Sequence, residues 1–255
     1  MVIFVGAGPG DVELITIKGM KALEKADCVI YAGSLVNEKL LAYCQKDVIT
    51  YNSAQMTLDE VIEVMHQMHQ KGKKVVRLHT GDPSIYGAIK EQMDRLKTYN
   101  IPYKIIPGVS SFLGAAAAIK EELTLPGVSQ TVIITRRSGR TGHNEGGSLK
   151  DLAKHQATMS IFLSVQAIDE VVEELLSAYD KHTPIAVVYK ATWEDEKIIR
   201  GTLEDIGKKV KAAGINRFAQ ILVGHFMASH YELSKLYDEN FTHGYRTGNS
   251  KKKGD

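Results

Sequence analysis

Two short turns carry the residue types best suited to holding a small molecule. Gly81-Asp82-Pro83-Ser84-Ile85-Tyr86-Gly87 follows the strand-like run Val75-Val76-Arg77-Leu78, and Gly6-Ala7-Gly8-Pro9-Gly10-Asp11 follows Val2-Ile3-Phe4-Val5. Glycine lets the backbone approach a ligand closely, and proline fixes the turn. A carboxylate beside them can meet a cation or cap a helix. Asp82 therefore reads in two compatible ways: as the N-cap of a helix over 84–98, or as the floor of a pocket for an ammonium or sulfonium group. Open α/β sheets bind small molecules at such strand ends.

The Gly6-x-Gly8 spacing invites a dinucleotide reading, which the residues refuse. The G-x-G-x-x-G fingerprint needs its third glycine where Asp11 stands. Pro9 removes an N–H from the loop that would cradle a pyrophosphate, and Asp11 would bring negative charge towards it. The second strand ends Tyr31-Ala32-Gly33-Ser34, without a carboxylate for a ribose hydroxyl. A G-x-x-x-x-G-K-[ST] loop is absent too. The turns point to a ligand that is neither a nicotinamide cofactor nor a nucleoside triphosphate.

The elements that must position them alternate. Strands are predicted at 2–5, 27–31, 47–50, 74–78 and 103–106, with helical periodicity at 15–25, 37–44, 57–71 and 88–98. In 57–71, Leu58, Val61, Ile62, Met65 and Met68 recur at three- and four-residue steps. Thr57 to Glu60 supplies a capping box and Gly72 the stop; Met56 and Met65 read as core packing. This alternation implies right-handed crossovers and a mostly parallel sheet. Pro107-Gly108 then breaks the pattern. Ser110-Ser111-Phe112-Leu113-Gly114 and the four alanines after it form a small-residue helix that can lie close to a neighbour or a ligand. Further strands are predicted at 130–136, 159–163, 185–189, 196–202 and 219–223, with helices at 149–155, 166–178 and 204–213. Lys190 to Glu196 is too short for a helical crossover, so the strands around it pair antiparallel. The fold class is α/β, with two α/β domains and a cleft between them. Residues 1–110 carry the mostly parallel sheet, 111–238 a mixed one, and 239–255 a C-terminal tail.

Composition narrows the partners. At 255 residues, 44% hydrophobic and 24% charged, the chain can bury one large core or two modest ones in water. A net charge of +2 is too mild for a nucleic-acid surface, and Lys251-Lys252-Lys253 reads as a solvated end. Cys28 and Cys44 are the only cysteines, with no zinc spacing, so neither a disulfide scaffold nor a metal is expected. Cys28, in an apolar run, reads as buried. The opening residues read as a strand rather than a signal peptide, and no apolar run nears the ~20 residues that span a bilayer. The expectation is a cytoplasmic protein without membrane contact. The glycine-rich segment 139–147 reads as a surface loop, with a lid over a polar substrate as the alternative.

Four stretches together resemble the tetrapyrrole (precorrin) methyltransferases, which use S-adenosylmethionine. They are Val5 to Asp11, Tyr31 to Val36, Leu78 to Gly87, and Ile106-Pro107-Gly108-Val109-Ser110-Ser111. Within that family, Tyr31 to Val36, Thr135 to Thr141, Val188 to Lys197 and Ser234 to Arg246 are similar to the precorrin-4 C11 branch. The likeness is greatest to members acting on the cobalt-bearing substrate in cobalamin biosynthesis, and it covers residues 1–246. It implies the tetrapyrrole methylase fold, a homodimer, a tetrapyrrole substrate (cobalt-precorrin-4) and an active site in the cleft. Position by position, it places Pro9, Thr80, Gly81, Asp82, Ile85, Ser110 and Ser111 at S-adenosylmethionine from one side, and Leu163 and Ala191 from the other.

The resemblance names no catalytic base. The uroporphyrinogen branch has an aspartate directly after the strand tyrosine, proposed there as a proton acceptor; here Ala32 stands in its place. Acidic arms on a corrin precursor need cations, for which Arg136, Arg140 and Lys190, beside predicted cleft loops, are candidates. The alternative for each is a solvated surface charge. His79, at a strand end, reads as structural rather than as a base. Rival readings are a methylase of this fold acting on another ring carbon or another acceptor, such as diphthamide or ribosomal RNA, and a non-catalytic tetrapyrrole-binding protein. Weak basic character and the lack of interleaved aromatics argue against RNA.

Overall fold

A computed structural model describes residues 1–138, 147–228 and 231–249. The first half builds a sheet from β1 (Val2–Gly6), β2 (Cys28–Tyr31), β3 (Ile49–Asn52), β4 (Val75–His79) and β5 (Tyr103–Ile106), in the order β3-β2-β4-β1-β5. Every pairing in it is parallel. Side chains alternate along each strand, so the sheet offers two apolar faces. Val2, Phe4, Cys28, Ile30 and Val75 meet α2 (Leu58–Gln70) and α3 (Ile89–Thr98) on one face. Val5, Val29, Val76 and Leu78 meet α1 (Ile17–Leu23) on the other. The chain leaves β1 towards the α1 face and leaves its neighbour β4 towards the α3 face. Their carboxyl ends therefore flank a topological switch point, the place where such sheets bind ligands.

Several sequence expectations hold here and three shift. Thr57 and Glu60 form the reciprocal capping box of α2. Cys28 is fully buried, and that burial pushes its thiol up to about 11. The predicted helix over 37–44 is instead a 3₁₀ run, Glu38–Tyr43, with Leu40 its one buried residue. So narrow an apolar face gives an α-helix little to pack. β3 lies two residues later than predicted because β2 sets its register, Cys28 facing Ile49 and Tyr31 facing Asn52. α3 starts at Ile89, since Tyr86 and Ala88 hold φ values of 53° and 48° that no right-handed helix accepts.

The second half starts with α4 (Ser111–Ile119), followed by β6 (Val132–Arg136), α5 (Leu149–Ala153), β7 (Thr158–Phe162), α6 (Ile168–Leu175), β8 (Pro184–Tyr189), β9 (Lys197–Thr202), α7 (Ile206–Ala212) and β10 (Ala219–Val223). The strand order is β6-β7-β10-β8-β9. β6 and β7 run parallel and the other pairings are antiparallel, so the sheet is mixed as predicted. α5, α6 and α7 cover one face around Met159, Ile161, Val187 and Ile221, all fully buried. Each such side chain contributes about 1.5–3 kcal/mol. α4 covers the other face, setting Ala115, Ala116 and Ile119 on Ala186, Val188 and Leu222. No helix among the described residues is long and apolar enough to cross a membrane.

Candidate active site between the two sheets

Three turns at the carboxyl edge of the parallel sheet lock together through backbone. Ala7 N–H donates to the His79 carbonyl (2.7 Å), while Gly8 and Gly81 exchange N–H···O=C bonds of 3.3 and 2.8 Å. Both glycines are left-handed, with φ of +79° and +60°. The Pro107-Gly108 turn closes on the same point: a Cβ on Gly108 would lie 2.2 Å from the Gly81 carbonyl oxygen. Asp82 ties the set together. Its Oδ1 accepts from Ser84 N–H (2.8 Å) and from the Ser84 hydroxyl, and its Oδ2 accepts from Gly108 N–H at 2.8 Å. Burial pushes this carboxyl up, but the three hydrogen bonds outweigh it and hold the group below the usual carboxylate range. Asp82 thus caps a turn rather than α3, and its carboxylate is a clamp between two turns.

The loops after β6, β7 and β8 leave a single edge of the mixed sheet, because these strands run the same way. Three of their residues hold backbone that side chains rarely adopt: Leu163 (φ 51°), Lys190 (46°) and Thr192 (71°). Leu163 is apolar yet 61% exposed, while Ala191 is buried. The β8 loop reaches across to the glycine turn. Trp193 Nε1–H donates to the Pro9 carbonyl and Asp11 N–H donates to Thr192 Oγ1, each at 3.0 Å. The indole lies so close to Gly10 that a Cβ there would fall 2.0 Å from the ring. Pro9 rests on Gly114 of α4, where a Cβ would sit 2.8 Å from the proline Cβ.

The structure brings the sequence-predicted residues to this junction from both sides. Pro9, Thr80, Gly81, Asp82, Ser110 and Ser111 belong to the three turns, with Ile85 half-buried just beyond; on the other side Leu163 follows Phe162, which meets Tyr86, and Ala191 precedes Thr192, which meets Asp11. Ser110 stands at the N-cap of α4 without a capping bond from its side chain. Ser111 donates its hydroxyl to buried Gln220 (3.2 Å), which in turn donates to Ser160 Oγ and the Ile161 carbonyl. Tyr86 and Phe162 meet across the junction with ring centroids 5.1 Å apart, and the Arg136 guanidinium lies 5.8 Å from the Tyr86 centroid. Arg137 turns away to Glu174, 2.6 Å from it. Lys190 lies over the Tyr189 and Trp193 rings, but its Nζ is 2.6 Å from Asp195 Oδ2, so its charge already has a partner. Arg140 and the rest of the loop 139–146 lie outside the described residues.

This geometry, a strand-end junction at a switch point, has known counterparts. The model of the Tetrapyrrole (Corrin/Porphyrin) Methylases matches residues 1–207. The chain belongs to the tetrapyrrole methylases. It is 62% identical over 252 residues to a cobalt-precorrin-4 C(11)-methyltransferase of Methanocaldococcus jannaschii, covering 98% of this chain and 97% of that one. A solved cobalt precorrin-4 methyltransferase superposes with a TM-score of 0.86 at 46% identity, covering 88% of this chain and 95% of the other. Uroporphyrin-III C-methyltransferase of Thermus thermophilus, complexed with S-adenosylhomocysteine, gives 0.75 at 25% identity over 91% and 95%. The two-sheet architecture is the tetrapyrrole methylase fold, as the four motifs imply.

Of two buried polar residues on β4 of this tetrapyrrole methylase, Arg77 escapes a sequence-based reading, while His79 is structural as expected. Arg77 and His79 both lie inside the protein, 7% and 4% exposed. Arg77 donates from Nε to Gln92 Oε1 (3.3 Å) and from Nη1 to the Ile30 carbonyl (3.2 Å). Burial, and then the Arg77 charge, push the His79 imidazole down to about 3, so it is neutral at physiological pH and a poor base. Their signal is spacing: two polar residues two apart in an apolar strand share one face with Val75. Met65 is core as expected, and Met56, partly buried, packs against the same core while also lining a cavity beside this pair.

Proposed function

We propose that this chain transfers the methyl group of S-adenosylmethionine to C11 of cobalt-precorrin-4, giving cobalt-precorrin-5 in cobalamin biosynthesis. The observation that carries this reading is the 62% identity, sustained over 98% of the chain, to a cobalt-precorrin-4 C(11)-methyltransferase. The junction fits the cofactor chemically. It has turns that allow close backbone approach, an exposed Leu163 as an apolar wall, and a glycine turn whose Gly8 and Asp11 N–H groups are already engaged. We assign cofactor binding to the turns after β1, β4 and β5, together with Leu163 and Ala191.

When bound, the sulfonium supplies a methyl group already activated for in-line attack by an electron-rich ring carbon. The chain's share is to orient the macrocycle and exclude water, and positioning of this kind is worth as much as ~7 kcal/mol. We assign Arg136, whose guanidinium lies over Tyr86, to a carboxylate arm of the substrate. Neither His79, neutral and buried, nor Asp82, with both oxygens engaged, is suited to act as a base. Family resemblance supports a cytoplasmic homodimer as the working form. The burial of α4 on the second sheet supports domains at residues 1–110 and 111–238. Incubation with methyl-labelled S-adenosylmethionine and cobalt-precorrin-4 should place label on C11. Label at another ring carbon would reassign the position, and no transfer would overturn the reading.

A further inference from the structure

A cavity of about 280 Å³ opens in the first half alone, at the carboxyl ends of β2 and β4 and beside α2 and α3. Its walls are largely apolar, from Leu35, Met56, Leu58, Val61 and Ile85. Two charged residues line it. Glu91 is exposed to solvent, whereas Arg77 is buried and has no carboxylate partner among the described residues. The hydrogen bonds of Arg77 go to Gln92 Oε1 and the Ile30 carbonyl, both neutral groups. His79 lines the same cavity, and its Nε2 is buried with no hydrogen-bond partner.

Buried guanidinium groups are ordinarily paired with an anion, and buried ring nitrogens are ordinarily hydrogen-bonded. Here one group of each kind, left incomplete, sits beside one space. An acceptor oxygen bearing negative charge, carried on an apolar stem, would complete both. We propose that this cavity binds an alkyl carboxylate, an acetate or propionate arm of the tetrapyrrole, with Arg77 as counter-charge and His79 as a second donor. The proposal rests on the function put forward above. The stem lies along the apolar walls and the carboxylate meets the guanidinium, whose planar fork matches it. A neutral imidazole keeps one N–H to donate. β4 holds Arg77 in register between Phe4 and Ile30, so the donor is fixed before the ligand arrives. The methionyl end of the cofactor carries the same chemistry, and the test separates the two sources.

The test measures fluorescence quenching by uroporphyrin, a stable tetrapyrrole with acetate and propionate arms, and calorimetry with S-adenosylhomocysteine. Both are applied to the wild type, Arg77→Met and Arg77→Lys, each checked for native circular dichroism. Arg77→Met should weaken uroporphyrin binding about 10- to 100-fold, and Arg77→Lys less, with the homocysteine analogue held within about twofold. Unchanged uroporphyrin affinity in Arg77→Met, or a loss confined to the cofactor analogue, overturns the assignment. Should Arg77→Met not fold, the His79 ring resonances of the wild type decide. Propionate alone should shift them, and no shift at saturation overturns the proposal. If propionate shifts them but the wild type binds no uroporphyrin, the macrocycle is overturned as the source of the carboxylate, while the proposed function stands or falls on label transfer to cobalt-precorrin-4.

Discussion

Replacing Gly108 by alanine should break the junction of the three turns, whereas the same change at Gly81 should be tolerated. The difference lies in where the new methyl lands. On Gly108 it falls 2.2 Å from the Gly81 carbonyl oxygen and 2.8 Å from Gly6 Cα, backbone atoms that cannot swing aside. Relief requires the β5 turn to withdraw from its neighbours, which breaks the 2.8 Å bond from Gly108 N–H to Asp82. Overpacking costs about 1–3 kcal/mol and loss of a hydrogen bond to a charged group about 1.5–3 kcal/mol. Water recovers part of the second because Asp82 is only half-buried, so the expected loss is about 3 kcal/mol. On Gly81 the methyl meets Ser110 Cα and Ser111 N at 3.4 Å, an ordinary contact distance. Only the left-handed backbone counts against it, at about 1–2 kcal/mol. Urea unfolding gives both losses, and calorimetry with S-adenosylhomocysteine gives both affinities. Gly108→Ala should be the less stable variant and should lose the analogue, while Gly81→Ala, at a turn assigned to the cofactor, should keep the fold and weaken the analogue. Equal stabilities, or wild-type binding by Gly108→Ala, would refute the claim that backbone contact among the turns shapes the site.

Asp82 has a depressed pKa, so the stability it lends is complete above its unfolded value of about 3.9 and is lost as pH falls through the lower folded value. Asp82→Asn should therefore lower stability at neutral pH and flatten the decline below pH ~4; an unaltered acid limb in urea melts would contradict the clamp. Arg136→Ala should weaken tetrapyrrole binding about tenfold, and Lys190→Ala less, because Asp195 already holds the lysine. The reverse order in a fluorescence titration would show that Lys190 exchanges partners when substrate arrives.

The parallel half is legible in the sequence because helices cover both faces of its sheet. Its central strands become largely apolar runs with clear stops, Val2 to Val5 at Gly6 and Val75 to Leu78, broken only by Arg77, before Gly81. The contact among the turns is not legible. Gly6, Gly81 and Gly108 lie in separate segments, and only the strand order, which sets β1 between β4 and β5, brings them together. Asp82 shows the same limit, since its turn partner is Ser84 but its clamp partner is 26 residues away. Asp195 is only five residues from Lys190, yet their pairing depends on a loop with two left-handed residues. Arg77 is hidden for another reason. An arginine in an apolar strand can extend to water or stay inside, and the partners that decide, Ile30 and Gln92, come from another strand and a helix.

The two sides of the junction do different work. On the first, backbone contacts fix the turns and side chains matter little beyond Asp82. On the second, Leu163, Lys190 and Thr192 hold strained backbone at about 1–3 kcal/mol each, which persists only where the surroundings over-determine it. For Lys190 and Thr192 in the β8 loop, Trp193 and Thr192 supply that constraint by binding the Pro9 carbonyl and the Asp11 N–H. The same contacts cover Gly10 and occupy a donor that a dinucleotide phosphate would need. Glycine spacing alone leaves the turn open to that ligand. The β8 loop of the second half engages that turn, adding to the obstacle that Pro9 and Asp11 already set against a pyrophosphate.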